Sequence, residues 1–116
     1  MEKEKLNAKF HYDSDYDNLI ISNKQENEIV KHNFMFDDFV ISMTGKGKIV
    51  SLEIKGASNF LEESGYNPEI LNNIKDTNLV ITPKKDTIFI GFVLESSNPK
   101  FIQKIPITHI PISCVS

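Results

Sequence analysis

Arginine is missing from this 116-residue chain, and all thirteen of its basic residues are lysine. Arginine's planar fork is the usual reader of guanine edges and clamp of phosphates, so its absence argues against nucleic-acid recognition. A formal charge of −3 argues the same way, because phosphate binding needs a basic face. A coding sequence rich in A and T would also give few arginines together with much Ile, Asn and Lys. If nucleic acid were bound at all, Lys46, Lys48 and Lys55 would be the contact lysines. Cysteine is nearly missing too. Cys114 stands alone, which excludes an intrachain disulfide and implies a reducing compartment, with an interchain bridge as the alternative. Long apolar runs are also lacking. No segment approaches the ~18 consecutive apolar residues of a membrane span, and the opening MEKEKLNAK is charged throughout. The expectation is a soluble, cytoplasmic protein with a flexible N-terminus over residues 1–9.

What is present is an ordinary globular composition, 40% hydrophobic and 25% charged, with a length suited to one domain over 1–116. Strand signals dominate. Phe10 and Tyr12 flank His11, an aspartate run follows, and Leu19-Ile20-Ile21 resumes the apolar pattern. From Glu28 to Phe36, period-two spacing sets Val30, His32, Phe34 and Phe36 on one face. Phe39, Ile41 and Met43 alternate in the next stretch. Thr44-Gly45-Lys46-Gly47-Lys48 then reads as a hairpin turn returning into Val50, Leu52 and Ile54. Residues 10–55 thus predict an antiparallel meander with one buried face.

Helical signals fill residues 56–76. Phe60-Leu61-Glu62-Glu63 suits a short helix ended by Gly65, and Asn67-Pro68 reads as the capped start of a second, with Ile70, Leu71 and Ile74 as its apolar stripe. Residues 77–112 return to strand. The stretch Ile88–Leu94 is apolar on both faces, as a central strand would be, and Pro106 puts the last strand at an edge or breaks it there. Residues 10–21 also align without gaps on residues 79–90, matching Asp17 with Asp86 and Ile21 with Ile90. The predicted fold is α+β: one mostly antiparallel sheet of about seven or eight strands, with two short helices between two β-rich halves.

The segment Tyr12-Asp13-Ser14-Asp15-Tyr16-Asp17-Asn18-Leu19-Ile20-Ile21 is followed by Glu28-Ile29-Val30, Phe39-Val40-Ile41, Gly47 to Ile54 and Ala57-Ser58. In order and spacing, residues 10–60 resemble the domain of unknown function 2283 family. Met43-Thr44 and Lys46 depart from its acidic positions, and the second half of the chain has no counterpart there. The resemblance implies an antitoxin-like or partner-binding role beside a small protein. It brings no reaction, no cofactor and no residue roles.

The aspartates are the first candidate site. With Asp13 as position one, Asp15 and Asp17 take the third and fifth ligand positions of a calcium loop. Asn18 replaces the required glycine and Lys24 the bidentate glutamate, so the EF-hand pattern fails. A looser ligand site of Asp13, Asp15, Asp17 and His11 remains as one expectation, and a solvated turn as the other. His11, His32 and His109 lie in predicted strands without the short spacing that brings metal ligands together locally. Gly45-Lys46-Gly47-Lys48 lacks phosphate-loop spacing, and no nucleophile motif or catalytic carboxylate pair is present. The chain therefore predicts no cofactor, no metal site and no catalytic residues. The second candidate is an interaction surface on Phe89, Phe92, Phe101 and Met35. It accompanies the expectation of a non-catalytic interaction module, a homodimer or the partner of a small protein. A metal-dependent or small-molecule enzyme built on the aspartate run is the alternative.

Overall fold

A computed structural model describes residues 9–97 and 100–111 of the chain. The expectations for residues 1–8, for the turn at Asn98-Pro99 and for Cys114 lie outside those residues. Eight strands are present among the described residues: β1 (Lys9–Asp13), β2 (Asn18–Ser22), β3 (Val30–Phe36), β4 (Phe39–Thr44), β5 (Ile49–Lys55), β6 (Ile74–Pro83), β7 (Thr87–Ser97) and β8 (Lys100–Pro111). Helix α1 (Ala57–Glu63) and a 3-10 helix (Pro68–Asn73) link β5 to β6. The architecture is mostly antiparallel β-sheet with two short helices between two β-rich halves.

The strands do not form one sheet. They divide into a five-stranded sheet ordered β1-β2-β5-β4-β3 and a three-stranded sheet ordered β6-β7-β8. The reason is burial. Leu19, Ile21, Ile41, Leu52 and Ile54 on one sheet and Ile90, Phe92, Leu94 and Ile105 on the other are all sealed into one core. Each sheet supplies the cover that the other's apolar face requires. The first half is not a simple meander either, since β2 pairs with β5 instead of β3. Val50, Leu52 and Ile54 make β5 the most deeply buried strand of that sheet, so the β1-β2 hairpin adds to its free side and β3 is left at the far edge. A bulge between Val30 and His32 breaks the expected single face of β3 and leaves His32 exposed.

The second half follows the apolar pattern more closely. β7 is central, between β6 and β8. β8 is an edge strand, and its ladder shifts register where Pro106 stands opposite Gly91. Gly65 (φ 92) ends α1: its own N–H donates to the Glu62 carbonyl and that of Tyr66 to the Leu61 carbonyl. That pair of bonds is a Schellman ending, which a glycine at this φ allows at no steric cost. Asn67 caps the next turn by accepting from the Glu69 N–H at 2.9 Å. That turn is a 3-10 helix and stops at Asn73. Ile74, expected on its apolar stripe, opens β6 and faces Ser96 across the ladder. Among the described residues no helix is long and apolar enough to cross a membrane.

Candidate functional site

The β1–β2 turn, the β3–β4 turn and the start of α1 lie at one end of the five-stranded sheet, and the aspartate run joins the first of these turns to the helix. Asp13 closes its own turn, its Oδ1 accepting from the Asp15 N–H at 3.0 Å. Asp17 sits in the left-handed region at φ 57, which short polar side chains tolerate. Its carbonyl accepts from the Ala57 N–H at 2.9 Å. Its carboxylate receives three further donors: the Tyr12 hydroxyl at 2.6 Å, the Ser58 N–H at 3.0 Å and the Ser58 hydroxyl at 2.7 Å. Gly56, the N-cap residue of α1, has no side chain to satisfy that helix's first N–H groups. Asp17 does it from 41 residues away.

The electrostatics follow from these bonds. Burial pushes the Asp17 carboxyl up, but the hydrogen bonds from Tyr12 and Ser58 outweigh it and hold the group below its usual value. The Tyr12 phenol is pushed up to about 12, first by burial, then by its bond to Asp17 and by the negative charges of Asp17 and Asp13. Asp15 and Tyr16 are exposed at the tip. His11 is exposed and stands opposite Ile20 on the outer face of the sheet. His11 on β1 and His32 on β3 occupy opposite edges of the five-stranded sheet, roughly 19 Å apart at the usual strand spacing. His109 lies in the other sheet against the Phe89 ring. Among the described residues no three His, Cys, Asp or Glu side chains are grouped as metal ligands would be.

The four expected surface residues separate. Phe92 is fully buried between the sheets, so it is a core residue and not a surface one: its position on β7 points it at the five-stranded sheet along with Ile90 and Leu94. Phe101 is half-buried, edge-on to Tyr66. Phe89 is half-buried on the opposite face of β7, with the Lys104 ammonium 5.4 Å from its ring centroid. Met35 is 64% exposed on edge strand β3, and Ile29, just before that strand, is 66% exposed.

At the opposite end of the sheet, around the β4–β5 turn, lies a cleft of about 590 Å³ that the sequence did not mark. Its apolar floor comes from both sheets, Ile49 from one and Leu79, Ile81 and Ile88 from the other. Its rim carries Asn23, Gln25, Lys48 and Asn78. The rim is tied down by Glu28. One carboxylate oxygen accepts the Gln25 N–H at 2.8 Å and the other accepts the Lys48 ammonium at 2.6 Å. These bonds, the Gln25 one foremost, hold the Glu28 carboxyl below its usual value. The β4–β5 turn is tight: Thr44 and Lys48 exchange hydrogen bonds, and Gly47 takes φ 85. Lys48 also lines a second hollow, of about 450 Å³, with Lys31 and Lys46. Lys55, grouped with these lysines by sequence, ends β5 and so lies a strand length away, roughly 20 Å.

The pattern that hides this cleft is physical. Its polar groups come from the loop after β2, the turn before β5 and strand β6, which are distant in sequence and meet only because β2 pairs with β5. The polar loop Asn23–Asn27 was the one local signal. No family model, curated protein or solved structure matches this chain.

Proposed function

We propose that this chain is a non-catalytic, cytoplasmic interaction module that works as a homodimer, joined edge to edge through β3. Of the four sheet edges β1 and β6 lie against each other, and the observation that carries the reading is the contrast between the other two, β8 and β3. β8 is guarded by Pro106, Lys104 and Lys100, which discourage a further strand. β3 contains no proline and one lysine, and exposes Met35. An antiparallel pair of β3 strands centred on Asn33 sets Lys31 opposite Met35 and His32 opposite Phe34, so no like charges face each other. The half-buried rings of Phe34 and Phe36 would be covered by the second copy, extending the core across a two-fold axis. The commitment of Asp17 to Tyr12 and Ser58 supports a structural role for the aspartate run and hence the non-catalytic reading.

Sedimentation equilibrium tests the edge. Met35→Lys puts two like-charge pairs into the symmetric interface and is expected to weaken dimerisation about tenfold, whereas Met35→Glu sets a carboxylate opposite Lys31 and holds or tightens it. A monomer at working concentration, or equal effects of the two substitutions, removes the reading. The antitoxin-like form of it, with a small protein in place of the second copy, rests on the resemblance over residues 10–60. Co-purification from the native host tests that form.

A further inference from the structure

The cleft between the sheets has the size and lining of a ligand site, and β3 contributes nothing to it, so it stands apart from the proposed dimer edge. A volume of about 590 Å³ lies within the usual range for small-molecule pockets, which combine mostly apolar walls with a few placed polar groups. Here the walls are Ile49, Leu79, Ile81 and Ile88. The polar groups are the side chains of Asn23, Gln25 and Asn78 and one titratable group, the Lys48 ammonium. A lone ammonium with amides can hold an anion but has no partner for acid–base work.

Charge selects the ligand further. Lys48 gives one donor to Glu28 and keeps two more on a side chain 56% exposed. Lys24 also acts on Glu28, so two cations surround one carboxylate and the local balance is positive in a protein of net charge −3. Lys46 and Lys84 stand next in sequence to the lining residues Gly47 and Pro83, and Glu26 next to Gln25, so four lysines stand against two glutamates around the cleft and the sign stays positive. The amide oxygen of Asn23, a residue of the rim, is buried and accepts no hydrogen bond from the described residues. The rim is pre-formed, because Glu28 fixes Gln25 and Lys48 together.

We infer that this cleft binds a small organic anion: an apolar ring or chain seated on Ile49, Leu79, Ile81 and Ile88, its carboxylate, phosphate or sulfonate on Lys48.

The probe is 8-anilinonaphthalene-1-sulfonate, an aromatic body with one anionic group, set against its uncharged counterpart N-phenyl-1-naphthylamine. Titration of the full chain is followed by amide chemical shifts and by fluorescence. The sulfonate is expected to shift the amides of Asn23, Gln25, Gly47, Lys48 and Asn78 together and to bind at least about tenfold more tightly than the uncharged compound, as a charge-assisted hydrogen bond implies. Lys48→Gln should remove that preference while leaving the uncharged compound's affinity in place. Ile81→Trp, which fills the cleft, should abolish both. Shift mapping on the unmodified protein keeps the test independent of how either variant folds. The inference is overturned by equal affinities for the two compounds, by shifts centred on β3 or the outer face of β7, or by no binding at about 1 mM.

Discussion

The two ends of the five-stranded sheet use polar residues in opposite ways. At the β1–β2 end, Tyr12, Asp17 and Ser58 satisfy one another and fasten α1 to the sheet. At the β4–β5 end, Glu28 fastens only a rim, and Asn23, Lys48 and Asn78 face a cleft. The end with the more conspicuous sequence carries the architecture, and the end without a motif carries the concave surface. A dense acidic run is therefore a poor guide to chemistry when a helix starts nearby without its own capping side chain.

Asp17→Ala is the sharpest way to break the contrast. It removes the cap of α1 and the acceptor for Tyr12, and it places a Cβ-bearing residue without a polar side chain at φ 57. A stability loss of about 2 kcal/mol is expected by chemical denaturation, the upper end of capping effects. Asp17→Asn keeps the tolerated backbone and one acceptor and should lose about half as much. If Asp17→Ala were neutral, the acidic turn would be free for another role and the difference between the ends would collapse.

Tyr12→Phe comes next, with a loss of about 1 kcal/mol for one hydrogen bond to a charged group that stays partly solvated. Its pH signature is more specific. A phenol raised to about 12 stabilises the fold in its neutral form, so its contribution is complete below pH 10.0 and disappears as the pH climbs from there through about 12. Asp17 works in the other direction: its lowered value contributes above the usual 3.8 and is lost as the pH falls through the folded value. Thermal midpoints of the unmodified protein should therefore decline at both extremes. The Phe variant should lose the alkaline part of that decline and keep much of the acid part through Ser58.

Much of the local structure was legible because its causes are local. Thr44 to Lys48 carried its turn in two glycines, Asn67-Pro68 its cap, Gly65 its helix ending and Pro106 the edge position of its strand, which runs on past the proline with a register shift and no break. Ile88–Leu94 showed by its double apolar face that β7 is central. The division into two sheets was not legible, since alternation states which face is buried and not what buries it. The β2–β5 pairing was hidden for the same reason, and with it the cleft, whose walls it assembles. The aligned segments 10–21 and 79–90 are both hairpins, yet Asp17 holds α1 and Asp86 is exposed, so a shared pattern does different work in its two settings. One clue to the Asp17–Ser58 link did exist. A helix beginning at Ala57 behind a glycine lacks a local cap, which means the cap must arrive from elsewhere in the chain.

Lys48→Gln marks the low end of the scale, and the contrast predicts why. The Lys48 side chain is 56% exposed, and an ion pair with one partner in water contributes little because solvent screens the attraction and ordering a long side chain opposes it. Glu28 also keeps its backbone donor from Gln25 when the ammonium is gone. The thermal midpoint should stay with that of the unmodified protein, and adding salt should move both proteins alike. A large loss of stability would mean that Lys48 fastens this end of the sheet as Asp17 fastens the other, and would take away the reason to look for a ligand there.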